Sequence, residues 1–335
     1  MTLIEDIRRP VSDSFLVFQR KLEEMMRTDN PLLHEVFNLI QARRGKQLRP
    51  LIVLLSAELC HGVTDKTTSV AAALEMMHTA SLVHDDVVDA SPMRRGLPSV
   101  QTQWNNKIAV LVGDYILSRV IDSIANLRSL PILNIISEMS SELTSGELLQ
   151  LHYNDSLWID ENRYFDIIRQ KTASLFSACS EAGAVSSGGS LKQVSALKRF
   201  GLEFGYCFQM QDDLLDYSDS EEVGKPTMSD IQDGKVTLPL IAAHKRATAN
   251  DKKEIDLLIR ILISEKDELK ERQLFELENE LKTFVLRYDG IGYTQQQMRK
   301  HYNIASETLD DTFKHESAAR TALHKLLDYT MYRNY

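Results

Sequence analysis

Apolar residues recur every three or four positions through almost the whole chain. Leu51, Leu54, Leu55 and Leu59 form one such series, and Val70, Ala73, Leu74, Met77 and Ala80 form another. That spacing matches the turn of an α-helix, whereas the strict alternation of a half-buried strand is rare. Breaks fall at Pro10, Asn30-Pro31, Gly45, Gly62, Pro92 to Pro98, Pro131, Asn154-Asp155, Gly188-Gly189, Gly224 to Pro226 and Gly290 to Gly292, with Pro50 just inside a new helix. These stops predict roughly a dozen helices. With 14 glycines and 8 prolines in 335 residues, the chain has too few turns for a β-rich fold, so an all-α class is expected. Long linkers are hard to find, which favours a single domain over residues 1–335. Residues 70 to 89 and 196 to 217 are apolar on most sides and should lie at the centre of a bundle. Residues 250 to 282 are charged and amphipathic and should lie outside.

Within this helical frame stand two clusters of charge that repel. SLVHDDVVDASPMRRG, Ser81 to Gly96, carries three carboxylates on an apolar helix, and FQMQDDLLD, Phe208 to Asp216, repeats the arrangement. At about 100° per residue, Asp85 and Asp89 share a face with Asp86 beside them, while Val87 and Val88 turn towards packing. Asp212, Asp213 and Asp216 do the same around Leu214 and Leu215. One such cluster reads as a charged helix end on the surface. Two, each preceded by an apolar run and followed by a basic loop, read as a site. If the two helices face each other, six carboxylates cannot all stay ionised without cations. Mg²⁺ suits them, as a hard ion that takes carboxylate, water and phosphate oxygens. Neither cluster has the alternating aspartates or the glycine of a calcium loop.

The basic groups are Arg94-Arg95-Gly96 after the first cluster, and Gly224-Lys225 with Gly234-Lys235 after the second. In GKQLRP, Lys46 and Arg49 are three apart and can point the same way. His78 lies seven residues before Asp85, on the same stripe. Lys171-Thr172 sits among Ile167, Ile168, Leu175 and Phe176, where an ammonium needs an anionic or π-rich partner. Gln209 lies one turn before Asp213.

Charge and composition exclude several classes. A net charge of −9 argues against nucleic acid, because counterion release needs a basic surface. The opening MTLIEDIRRP lacks the pattern of a signal peptide, and the apolar run at Leu51 to Leu55 is far too short to cross a bilayer, so a cytoplasmic location is expected. Cys60, Cys179 and Cys207 are isolated on apolar segments and read as buried free thiols.

On these motifs the chain resembles the trans-type isoprenyl diphosphate synthases, specifically the long-chain polyprenyl group with octaprenyl-like members. The resemblance runs through GKQLRP, HTASLVHDDVVDASPMRRGLPS, VLVGDYIL, SGELLQL, KTASLF, FGYCFQMQDDLLDY and GKPTMSDIQDGKVTLPL, and thins after about Asn250. It implies the isoprenoid-synthase fold, a helical bundle around a deep central cavity, in a homodimer. It implies three Mg²⁺ ions bridging the two aspartate motifs and an allylic diphosphate. By motif position, Asp85 and Asp89 would bind metal on one side and Asp212 and Asp216 on the other, with Asp86 and Asp213 in support. Lys46, Arg49, His78 and Arg95 would hold isopentenyl diphosphate. Arg94, Lys171, Thr172, Gln209, Lys225 and Lys235 would hold the allylic diphosphate, with oxygens near Lys171, Thr172 and Gln209 steadying the allylic cation. The departing diphosphate would accept the proton. The implied product is a membrane lipid, such as a quinone side-chain precursor.

Ser81 lies one turn, about 5.4 Å, beneath Asp85 with Ala80 beside it, and these small residues imply a long product, on the order of six to ten isoprene units by resemblance. Met76, Met77 or Phe176 would form a deeper floor. A class I terpene cyclase would instead need Ser and Glu at four-residue steps after Asp212, where Asp216 and Ser220 stand, and would have no use for Lys46, Arg49 and His78. A non-catalytic partner subunit would have lost its aspartates.

Overall fold

The computed structural model describes residues 2–42, 45–154, 156–218, 228–264 and 269–333. Almost all of these are helical. In chain order come α1 (Leu3–Arg8), α2 (Ser12–Met25), α3 (Pro31–Ala42), α4 (Leu48–Cys60), α5 (Asp65–Val88), α6 (Val100–Gln103), α7 (Asn106–Asn126), α8 (Leu130–Asn154), α9 (Glu161–Ile168), α10 (Ser174–Ser186) and α11 (Leu191–Leu215). The later helices are Ser229–Gln232, Leu238–Arg246, Ala249–Ser264, Glu271–Arg287, Gly290–Thr312 and Ala318–Tyr332. This exceeds the expected dozen for two reasons. One-turn pieces such as α6 carry no periodic signal, and a π-helical turn, Arg169–Ala173, parts α9 from α10 inside what reads as one helix. Gly290 and Gly292, read as a stop, instead open a helix, and the break falls at Asp289, whose φ is 53°.

The stretch Pro92 to Pro98 is not all loop. Met93–Arg94 (β1) pairs antiparallel with Leu97–Pro98 (β2) across a two-residue turn in which Arg95 and Gly96 have φ of 50° and 77°. Two successive positive φ angles match the twist of a tight hairpin. The turn sends the two neighbouring arginines to different places, as described below.

Contacts group the chain into two compact units. One comprises Met1–Glu138, Ala178–Arg199 and Thr308–Leu326, and the other Met139–Ser177, Phe200–Glu307 and Leu327–Tyr335. Where one domain over residues 1–335 is expected, these units interleave in sequence, so no single cut in the chain parts them. In the first unit α5 is the central helix. Its N-cap Thr64 accepts from the Thr67 backbone N–H, and it packs on α2, α4 and α7. Val70 to Leu74 are wholly buried on successive positions, as an all-round apolar helix requires, and so are Leu51 to Leu55 of α4. Each such Val, Leu or Ile contributes about 1.5–3 kcal/mol by burial. In the second unit the rings of Phe176, Phe204 and Phe208 cluster with centroids 4.9 to 6.5 Å apart. The helix Ala249–Ser264 buries Ile255, Leu258, Ile259 and Leu262 and leaves Leu257 exposed, an outer amphipathic helix as its charge pattern predicts.

Cys179 and Cys207 are buried free thiols, whereas Cys60 is only half-buried. Burial pushes the Cys179 thiol up to about 12 and Cys60 up to about 11, so neither is a ready nucleophile. No described helix is long and apolar enough to cross a membrane.

Candidate active site

The last turn of α5 sorts its three aspartates. Asp85 is half-buried, and Asp89, exposed, caps the helix by donating its backbone N–H to the Asp85 carbonyl at 2.8 Å. Asp86 is buried, and its Oδ1 accepts from Arg94 Nε at 2.7 Å and Nη2 at 2.5 Å. Gln101 Nε2 donates to the Asp86 and Ser91 carbonyls, which ties the hairpin loop to the helix end. Val88 does not turn towards packing. It is 51% exposed, because α5 ends there and no further turn covers it. Deeper on the same helix, Ala80 is fully buried and the Ser81 hydroxyl donates to the His78 carbonyl at 2.9 Å.

Beside this helix end lies a pocket lined by Gln47, Glu75, His78, Asp86, Arg94 and Arg95, among others. The Arg95 guanidinium lies against the backbone of Gly45. The hairpin thus turns Arg94 onto Asp86 and Arg95 towards the GKQLRP loop, where Lys46 is exposed and Arg49 is half-buried. His78 has its pKa held well below the usual 6.5, first by loss of water and then by Arg49, Arg95 and Arg94. A neutral imidazole among guanidinium groups can donate one N–H to an anion that the arginines attract. Gln47, Ala90 and Arg95 all have φ near 50°, a conformation that costs a non-glycine residue about 1–2 kcal/mol and here recurs around one site.

In the second unit a cavity is lined by Gln150, Tyr164, Lys171, Thr172, Gln209, Asp213, Asp230 and Lys235, with Ile167, Ile168 and Val236 as apolar wall. Its base is the π-helical turn Arg169–Ala173. A Cβ on Gly146 of α8 would lie 2.6 Å from the Lys171 backbone nitrogen, and one on Gly205 of α11 would lie 2.4 Å from Ala173 Cα. Two helix backbones therefore close on the turn from either side, at glycines that alone leave the space. The turn presents Lys171, whose Nζ lies 2.6 Å from Glu147 Oε2 and 3.2 Å from Gln150 Oε1. Next to it the Thr172 hydroxyl donates to Gln209 Oε1 at 2.7 Å, and Gln209 Nε2 donates to Asp213 at 2.9 Å. Asp213 is buried and accepts also from the Tyr164 hydroxyl at 2.5 Å. It anchors this chain of hydrogen bonds, while its neighbours Asp212 and Asp216 are half-buried at the helix end. Asp216 Oδ2 accepts from the Asp230 backbone N–H at 3.3 Å, and Lys235 Nζ lies 3.4 Å from Asp233. Lys225 lies outside the described residues.

Asp85 with Asp89 and Asp212 with Asp216 are oxygen-only pairs one turn apart at partly open helix ends. Desolvation, then the nearby charges led by Asp230, raises Asp213 well above the usual carboxylate range. Asp230 is pushed up to about 7 by burial and then by Asp216. Buried, mutually repelling carboxyls thus stand beside the second pair, a setting that a hard divalent cation relieves. Among the described residues no three His, Cys, Asp or Glu side chains converge closely enough to hold an ion.

Sequence reasoning missed Glu147, Gln150, Tyr164, Asp230 and Arg333. Glu147 and Gln150 stand three apart in SGELLQL, and that spacing could have paired them with an uncompensated lysine. Tyr164 and Arg333 carry no local signal. Arg333, near the chain end, places Nη2 2.5 Å from Asp212 Oδ1 and its guanidinium 4.0 Å over the Phe208 ring.

Comparison with known proteins places these motifs in context. Residues 30–277 match the family model described as polyprenyl synthetase. The chain is 34% identical over 315 residues to a short chain isoprenyl diphosphate synthase of Methanothermobacter thermautotrophicus, covering 92% of each chain. It is 31% identical over 333 residues to an octaprenyl diphosphate synthase of Haemophilus influenzae, covering 99% of this chain and 98% of that one. Among solved structures, a polyprenyl synthase of Caulobacter crescentus complexed with calcium and isoprenyl diphosphate superposes with a TM-score of 0.89 at 31% identity, covering 99% and 98%.

Proposed function

We infer that this chain, which belongs to the polyprenyl synthetase family, is a magnesium-dependent, long-chain, all-trans polyprenyl diphosphate synthase. It adds isopentenyl diphosphate head-to-tail onto an allylic diphosphate, in successive rounds. The observation that carries this reading is the same juxtaposition in each unit: a half-open aspartate pair at a helix end beside a pocket lined with cationic side chains. The calcium and isoprenyl diphosphate in the Caulobacter structure support a divalent ion here.

Lys171 and Lys235 would bind the allylic diphosphate, and Arg95, Arg49 and neutral His78 would bind isopentenyl diphosphate. Lys46 adds an exposed charge beside them, and Arg94 orients Asp86. Magnesium ions at Asp85 and Asp89, and at Asp212 and Asp216, would supply Lewis-acid stabilisation of the leaving diphosphate. Breaking the allylic C–O bond leaves a cation, which the oxygens of Thr172 and Gln209 would steady. The terminal alkene of isopentenyl diphosphate attacks that cation, a C–C bond forms, and the departing diphosphate takes the proton. Ile167, Ile168 and Val236 keep water from the cation.

The named relatives differ in product length, so length must be argued from α5. Ala80 and Ser81 are small side chains beneath Asp85 where a bulky aromatic would stop a growing tail, and this supports a long product of the quinone side-chain kind. Incubation of the purified protein with isopentenyl diphosphate, a labelled allylic primer and Mg²⁺, followed by chromatographic sizing, should give long all-trans chains and none after chelation. Absence of elongation, or elongation that persists with chelator, would sink the reading.

A further inference from the structure

The SGELLQL segment of α8 does more than pack. Gly146 brings its backbone against the π-helical turn, Glu147 Oε2 lies 2.6 Å from Lys171 Nζ, and Gln150 Oε1 accepts from the same ammonium at 3.2 Å. Glu147 stands behind the lysine with its side chain 14% exposed, while Gln150 is on the cavity wall. Among the described residues, Glu147 Oε1 and Gln150 Nε2 are buried and have no hydrogen-bond partner. A pair that served only the fold would satisfy these atoms, because an unmade buried hydrogen bond is costly. Two unsatisfied atoms flanking one cavity ammonium mark an arrangement kept for something other than stability.

We propose that Glu147 is a positioning residue for chain elongation, fixing where the Lys171 ammonium stands at the cavity wall, with Gln150 as its second tether. The proposal rests on the reading of Lys171 as a ligand of the allylic diphosphate. Lysine is a point charge on a flexible four-carbon stem. Free to wander, it would follow the diphosphate in the bound substrate as readily as in the transition state. Anchored, it needs no reorganisation when the C–O bond breaks and charge builds on the leaving oxygen. Glu147 also offsets part of its charge, so that its attraction counts most when that extra charge appears.

Steady-state kinetics of the full chain carrying Glu147→Gln should show kcat reduced about ten- to a hundred-fold, a range set by loss of one preorganised charge. The KM for the allylic substrate should change less than about three-fold, and that for isopentenyl diphosphate should not change. Glu147→Asp, which keeps the charge, should recover part of kcat. If Glu147→Gln fails to fold, Gln150→Leu should show the same split at smaller size. Independently of activity, acylation of the substrate-free protein with an N-hydroxysuccinimidyl ester, read by peptide mass spectrometry, should label Lys171 several-fold faster in the variant, with Lys235 unchanged. A raised allylic KM at constant kcat, or unchanged Lys171 labelling, would overturn the proposal. Failure of the unmodified protein to elongate any primer would instead overturn the proposed function, and the labelling would still decide whether Glu147 anchors Lys171.

Discussion

Adjacent residues of one motif have separate tasks. Asp85 and Asp86 are neighbours in DDVVD, but Asp86 is buried against Arg94 while Asp85 keeps an accessible carboxylate. Asp86→Ala should therefore lower stability by about 2 kcal/mol, the loss of a charged hydrogen-bonded pair, in urea denaturation. Asp85→Ala should abolish turnover while the protein stays folded in the same denaturation assay. His78 gives a pH signature. Its folded pKa lies well below 6.5, so on acidification the unfolded chain takes up the proton first. Stability is whole above about 6.5 and declines below it until the folded histidine also titrates, at no more than about 1.4 kcal/mol per pH unit. His78→Asn should flatten that part of the profile when urea unfolding is compared at pH 7, 6 and 5. A variant as acid-sensitive as the parent would refute the assignment.

At the level of the element, the π-helical turn is the least local feature of the site. Its residues, RQKTA, carry no local signal for a π-helical turn, and Gly146 and Gly205 from two other helices make the room for it. Gly205→Ala would place a methyl group against the Ala173 backbone, so it should cost about 1–3 kcal/mol of stability. The turnover it loses should exceed what the unfolded fraction explains, because Lys171 and Thr172 shift with the turn. Activity that simply follows the folded fraction would count against this. On α5 the argument concerns volume. Ala80 is fully enclosed beside Ser81, which lies one turn below Asp85, and Ala80→Phe should shorten the product on chromatography. An unchanged chain length would remove the argument from Ala80.

At the level of the whole molecule, large apolar side chains stand exposed around α7 and the start of α8: Leu111 66%, Ile121 67%, Leu130 67% and Leu133 45%. Four such side chains fall on two successive helices, a density that a covering partner surface would explain. We propose that a second copy covers it in a homodimer, where a self-complementary patch is used twice. The double variant Leu111→Glu and Ile121→Glu should run as a monomer in light scattering at concentrations where the parent runs as a dimer. A parent that is monomeric throughout would dispose of the idea.

Helical class, the central place of α5 and both acidic helix ends were legible in the sequence, because spacings of three, four and seven are local geometry that 3.6 residues per turn converts directly into faces. Which aspartate faces inward, what holds Lys171, and where the chain end meets Asp212 were not. Those depend on contacts such as Tyr164 to Asp213, 49 residues apart, and Arg333 to Asp212, 121 residues apart. The one-dimensional pattern says that a carboxylate lies on a face. Only the packed chain supplies the guanidinium, hydroxyl or second helix that settles its charge, because in a buried setting the partner, not the residue type, fixes what the group can do.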